Sequence, residues 1–253
     1  MTIEIRPPDA SKLDAPFAGR DFRLYVAVTN RCNMACPFCS MYSTLAGTTF
    51  ITLEQVLAHV PREGNYQVQL EGGEPLLHPY IREFAMHFAH DERCTRIIIS
   101  TNGTLFPFKV AGGVIDENAS RAALRSFFSR FPARMTLKVS LNHHLLEHDP
   151  LLFEKAKFLL RCTAGTGIDV IFNLRKRNDP KVGFDEALEK AIDVHGLRGV
   201  TNSFFLQRYG RNSNDEKAEP PFIVGTNWCG VNPDGSAWSI DLIGRSEAMR
   251  RLA

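Results

Sequence analysis

Apolar residues fall along this chain in short blocks that switch between two periods. The run FRLYVAVT at 22–29 is almost continuously apolar and predicts a buried strand. TLEQVLAHV at 52–60 has helical spacing behind a capping Thr52. YQVQL alternates like a strand and breaks at GGEP, 72–75. The spacing then predicts a helix over 80–90, a strand over 96–103 with its turn, a helix over 120–131 and a strand over 134–142. A helix follows over 149–162, with Asp149 as cap and Pro150 in its first turn. A strand over 168–175, a helix over 184–196 and a strand over 202–210 complete the pattern.

Six strands alternating with five helices imply an α/β fold with a parallel sheet wrapped by helices. No Gly-rich phosphate loop follows the first strand, which argues against a doubly wound nucleotide-binding sheet. Six units are too few for a closed eightfold barrel, so the expected fold is a partial, open (β/α)6 barrel of parallel strands. Chemistry in such barrels sits at the C-terminal strand ends. The polar loops obey that rule, with the cysteine loop after the first strand, EGGEP after the second and SLNHH after the fourth. Residues 1–21 read as an irregular lead-in, 22–210 as the barrel, and 211–253 as a C-terminal extension. The extension opens with a polar linker, RNSNDEKAEPP, and carries a short hairpin around the Pro-Asp-Gly turn of VNPDGSAWSI.

Composition adds mainly exclusions. The chain has 253 residues, 44% hydrophobic and 23% charged, with a net charge of +2. That balance gives no electrostatic case for nucleic acid or an anionic membrane. No apolar run approaches the ~20 residues of a membrane span. The first residues lack a signal-peptide core, so the expected compartment is the cytoplasm, where thiols stay reduced. Clustered cysteines there suggest a metal more than disulfides.

Three of the six cysteines, Cys32, Cys36 and Cys39, lie in CNMACPFC with C-x3-C-x2-C spacing. Structural zinc sites use paired ligands, four in all, and no second pair is visible here. Iron–sulfur clusters also take cysteine thiolates, usually four for a 4Fe–4S cube. Three would leave one iron open to a substrate or cofactor. With Phe38 at the aromatic position and GGEP after the second strand, the chain resembles the radical S-adenosylmethionine (SAM) enzymes over 22–210.

That resemblance implies that Cys32, Cys36 and Cys39 hold three irons of one 4Fe–4S cluster and that SAM's methionine chelates the fourth. One electron would cleave SAM to methionine and a 5′-deoxyadenosyl radical, which abstracts a hydrogen atom from a substrate C–H bond. Phe38 would pack by the adenine. Gly72 and Gly73 permit close backbone approach, Glu74 offers a carboxylate to the methionine ammonium, and Pro75 stiffens the exit. Glu71 is a second carboxylate nearby in sequence. Ser140 and Asn142 share a face of the fourth strand and are expected SAM contacts by resemblance. Asn173, inside an apolar strand, needs a partner, which SAM, substrate or a neighbouring loop would supply. Thr101, Asn102, Arg175, Arg177, Gln207, Arg208 and Tyr209 are weaker candidates at strand ends. His143, His144 and His148 read as a loop over the barrel mouth, or as simple surface histidines, rather than a second metal site.

The tail resembles the SPASM or twitch extension of some relatives but keeps only Cys229, so a single cluster is expected. The leading functional expectation is C–H activation of a small polar metabolite, with a reducing partner such as flavodoxin or ferredoxin. Alternatives are modification or activation of a peptide or protein, and a non-catalytic iron–sulfur or zinc protein.

Overall fold

The computed structural model describes residues 22–177, 183–219, 228–238 and 242–252. The expected lead-in at 1–21, the end of the linker and the last residues of the hairpin lie outside them. In chain order the elements are β1 (Phe22–Thr29), α1 (Leu53–Leu57), β2 (Tyr66–Gly72), α2 (Ile81–His90), β3 (Cys94–Thr101), β4 (Val110–Ala111), β5 (Val114–Ile115), α3 (Glu117–Phe128) and β6 (Met135–Asn142). They continue with α4 (His143–His148), α5 (Leu152–Thr163), β7 (Ile168–Lys176), α6 (Phe184–Val194), β8 (Thr201–Phe205), β9 (Trp228–Val231), β10 (Ala237–Trp238) and α7 (Leu242–Leu252). The chain divides into two compact units, Met1–Ser100 with Phe205–Ala253, and Thr101–Phe204.

In the first unit β2 pairs in parallel with both β1 and β3. Strands covered on both faces must be apolar throughout, and Leu24, Val26, Val28, Val68, Leu70 and Ile97–Ile99 are all buried. Helix α2 contributes Ile81, Phe84, Ala85 and Phe88 at helical spacing. The alternation in YQVQL does not produce a solvated face: Gln67 and Gln69 are buried too, and Gln69 donates to Glu71 on the same side of β2. The tail joins this unit. β9 runs parallel to β1, and β10 folds back antiparallel on β9, forming the expected hairpin. Its turn rests on α1 and the turn that follows, where Gln55 Nε2 donates to Asp234 O at 3.0 Å and His59 Nε2 meets Gly235 O at 2.9 Å. Gln55 also completes a capping box with Thr52.

In the second unit β6 and β7 pair in parallel, with β8 beyond β7. Leu137, Val139, Leu141, Phe172 and Leu174 are buried with Leu124, Phe158, Leu159, Leu188 and Ile192 of the helices. One face of β6 is polar, with Thr136, Lys138 and Asn142 all buried. Parallel strands alternating with helices in both units are the α/β class expected for a partial (β/α)6 barrel.

Several boundaries differ from the sequence pattern. The helix expected from Asp149 starts at Leu152, because Asp149 accepts from Leu151 N at 3.1 Å and ties the Asp-Pro pair into a turn. The loop expected over 143–148 is the short helix α4, capped by Asn142. The last strand of the barrel pattern stops at Phe205, after which Leu206 O accepts from Glu219 N at 2.9 Å and Arg208 N donates to Glu219 O at 2.7 Å. The 242–252 helix had not been anticipated.

Glu189 of α6 stitches the end of the second unit. It accepts from Ser203 Oγ at 2.6 Å, pairs with Lys176 Nζ at 3.0 Å, and also pairs with Arg198. Burial pushes its carboxyl up, but these donors outweigh burial and bring it from 4.5 down to about 2. A carboxyl depressed in the folded state stabilises above its unfolded pKa and loses that contribution as pH falls toward the folded value. Glu189→Gln is therefore expected to cost about 1–2 kcal/mol at neutral pH, allowing for solvent screening at Arg198. Thermal melts of the two proteins should converge between pH 4.5 and 2; a gap that persists at pH 2 contradicts the assignment.

Candidate metal and cofactor site

Thr29 closes β1, and the chain then leaves the sheet. Thr29 Oγ1 donates to Thr49 O at 2.8 Å and accepts from Arg31 N at 3.0 Å, which bends the chain sharply at the strand end. Asn30 is buried. Its Oδ1 accepts from Thr49 N at 2.9 Å, and its Nδ2 donates to Leu252 O of α7 at 2.6 Å. The returning segment is held by Cys32 N donating to Thr44 O at 2.9 Å. Residues 30–43 thus form a closed loop above β1.

Within that loop Cys32 is buried, while Cys36 and Cys39 are half-buried. Met34 N donates to Cys32 Sγ at 3.4 Å. Pro37 and Phe38 occupy a tight turn closed by Cys39 N donating to Cys36 O at 3.2 Å, with proline favoured at the turn's second position. Phe38 is half-buried at its tip. Burial pushes the Cys32 thiol up to about 12, and the charges of Glu74, Cys39 and Cys36 add to it. Burial likewise lifts Cys36 to about 11, with Cys39 adding and Arg211 opposing. The three sulfurs therefore share one electrostatic neighbourhood. Among the described residues no three His, Cys, Asp or Glu side chains converge as a formed metal site. Thiols whose ionised form is disfavoured in this way give up their protons on binding a cation.

No other cysteine of the first unit reaches this loop. Cys229 pairs in register with Leu24, five residues before Thr29. That is roughly 16 Å of strand at ~3.3 Å per residue. Cys94 sits at the opposite end of β2, beside Tyr66. Three thiols with no fourth cysteine of the same unit in reach are the donor set a 4Fe–4S cluster with one open iron requires.

The GGEP turn is bonded directly to the base of the cysteine loop. Gly72 pairs in register with Thr29, Gly73 N donates to Thr29 O at 2.7 Å, and Glu74 N donates to Arg31 O at 2.8 Å. Gly73 allows this approach because a Cβ there would lie 2.0 Å from Arg31 O. Glu74 is fully buried, and its Oε1 accepts from Leu76 N at 3.1 Å, capping the 3₁₀ turn that Pro75 opens. The carboxylate thus has a structural duty that the sequence reading did not assign.

Ser140, Asn142 and Asn173 belong to the second unit. There Ser140 lies in register beside Asn173, and Asn142 beside Arg175. Asn142 Oδ1 is committed to Leu145 N at 2.9 Å, and Asn173 Oδ1 lies 3.5 Å from Asn202 Nδ2. Thr101 and Asn102 perform turn chemistry, accepting from Gly103 N and Thr104 N. His143 is buried against Phe184, ring centroids 4.1 Å apart. Arg175 lies over Phe204, and Arg177 N donates to Asp185 Oδ1.

The sequence reading missed the tail's contacts with the cysteine loop. Arg211 N donates to Cys39 O at 3.1 Å, its guanidinium reaches Cys36 O at 3.2 Å and Tyr42 O at 3.1 Å, and Ser246 Oγ donates to Ser40 O at 2.6 Å. Asn30, next to the motif, carried the one usable signal, since a buried amide at a strand end needs partners on both sides.

Comparison with known proteins bears on the same segment. Residues 26–123 match the family model described as Radical SAM superfamily. The GTP 3′,8-cyclase of Haemophilus influenzae (strain PittEE) is 30% identical over 122 residues, 46% of this chain and 35% of that protein. The GTP 3′,8-cyclases of Aquifex aeolicus (strain VF5) and Syntrophomonas wolfei are 32% and 31% identical over 87 residues, each match covering 32% of this chain and 27% of the relative. The chain thus spans about a third or less of the curated relatives it matches.

Proposed function

We propose that this chain, whose residues 26–123 match the Radical SAM superfamily model, is an enzyme that cleaves SAM reductively at a single 4Fe–4S cluster and abstracts hydrogen from a small polar metabolite. The observation that carries this reading is the direct bonding of the GGEP turn to the backbone at Thr29 and Arg31. It sets the two parts of the site side by side on β1 and β2.

When bound, the cluster supplies the electron that converts SAM to methionine and a 5′-deoxyadenosyl radical able to take hydrogen from substrate. The chain's own contribution is binding, orientation and exclusion of water. Cys32, Cys36 and Cys39 are the thiolate ligands. The turn at Pro37 and Phe38 sets the spacing of the last two and presents an aromatic ring for the adenine. Gly72 and Gly73 bring backbone close to the cofactor, and the buried Glu74 carboxylate complements an ammonium. By resemblance Ser140 and Asn142 are the proposed SAM contacts, and Asn173 a proposed contact of SAM or substrate.

Small polar substrates are favoured because the matched relatives are named for a reaction of GTP. A low-potential one-electron donor such as flavodoxin or ferredoxin is the proposed partner. The substrate class is tested by supplying deuterated metabolites and deuterated peptides to the reduced, SAM-loaded enzyme. Deuterium should enter 5′-deoxyadenosine from a small polar metabolite. Transfer from peptides alone overturns that class and leaves the radical chemistry standing. Among the described residues no helix is long and apolar enough to cross a membrane.

A further inference from the structure

The C-terminal segment contributes a cation to the cysteine loop. Arg211 stands in the short turn Gly210–Asn212, after the last barrel strand. Gly210 lets this turn press on the loop: it has a φ of +67°, and a Cβ there would lie 2.4 Å from Ser40 Cα. The Arg211 amide bonds Cys39 O. Its Nη1 donates to Cys36 O at 3.2 Å, and its Nη2 donates to Tyr42 O at 3.1 Å and Ser43 O at 3.4 Å. The guanidinium also lies 6.0 Å from the Tyr42 ring centroid. Tyr42 has a φ of 52°, a left-handed conformation that bulky residues avoid. Its carbonyl is therefore presented at a strained position and received by Arg211. Among the described residues no carboxylate pairs with this guanidinium, whose partners are carbonyls and a ring.

We propose that Arg211 is a positioning residue for the cluster: it gathers the carbonyls of Cys36, Tyr42 and Ser43 into one loop conformation and places a permanent positive charge beside the thiolate ligands that favours the reduced cluster. The inference rests on the radical SAM reading of the cysteine loop. A guanidinium stays protonated at all working pH values, and its planar fork can satisfy several carbonyls at once. Reduction by the external one-electron donor adds one negative charge to the cluster. A nearby cation without a carboxylate partner offsets that charge, and cluster potentials respond to local charge, hydrogen bonding and burial. The carbonyls orient the guanidinium without cancelling its charge. An ion pair in the same place would do so.

The test is an anaerobic redox titration of the reconstituted protein, followed by electron paramagnetic resonance beside an iron count. It compares wild type with Arg211→Gln, Arg211→Ala and Arg211→Lys. The Gln and Ala variants should show a more negative midpoint, and the Lys variant, which keeps the charge, should stay near wild type. Fully loaded Gln and Ala variants with an unchanged midpoint overturn the proposal. If neither loads iron, the Lys variant decides, a wild-type midpoint supporting the role and a displaced one refuting it. Wild type without a 4Fe–4S cluster defeats the functional reading itself, whereas a loaded wild type with charge-insensitive variants defeats only the role of Arg211.

Discussion

Cys36→Ala is expected to keep the fold, lose the cluster and abolish SAM cleavage. Cys36 is half-buried. The loop is closed by backbone groups, including Cys32 N to Thr44 O and Cys39 N to Cys36 O, which alanine retains. Circular dichroism and the melting temperature should therefore change little. Alanine offers no ligand, and the cysteines elsewhere in the first unit cannot replace it, because Cys229 faces Leu24 and Cys94 lies at the far end of β2. Iron after reconstitution should fall from about four per chain to background, and 5′-deoxyadenosine should not form. Retained cleavage would refute Cys36 as a ligand.

Gly73→Ala should have the next largest effect, by a different route. The added methyl would lie 2.0 Å from Arg31 O and 2.4 Å from Arg31 C. Both are backbone atoms, so no side chain can swing aside and either the GGEP turn or the cysteine loop must move. That movement breaks the 2.7 Å bond to Thr29 O and the 2.8 Å bond from Glu74 N to Arg31 O. Overpacking of this kind costs about 1–3 kcal/mol, and each lost hydrogen bond adds about 1 kcal/mol. The expected result is a lower melting temperature with SAM binding lost even where iron is retained. Wild-type SAM affinity in this variant would mean that the turn has no part in holding the cofactor.

The parts of the site legible in the sequence are those encoded locally. The cysteine spacing and the GGEP turn each fit within a few residues, and both fall at strand ends that periodicity alone located. The strands themselves were readable because parallel strands are buried on both faces and stay apolar. The glutamines of β2 alternate with apolar residues as in a strand, yet Gln67 and Gln69 are buried like their neighbours. Asp149 was read as a cap, whereas its side chain bonds a residue only two further on, which delays the helix to Leu152. Arg211 and Ser246 were invisible, and so was Leu252 as the partner of Asn30. Their contacts with the cysteine loop join residues 175, 206 and 222 apart in sequence. In a sequence Arg211 is one more polar residue in a linker, and only the folded chain puts it over Cys36.

The central claim, that the cysteine loop and GGEP turn form a radical-generating site, is tested most directly on the wild-type protein. It would be reconstituted anaerobically with iron and sulfide, reduced with dithionite, supplied with SAM, and assayed for 5′-deoxyadenosine beside metal content. About four irons per chain with 5′-deoxyadenosine formation is the expected result. Zinc in place of iron, or a fully loaded and reduced cluster that leaves SAM intact, would contradict it.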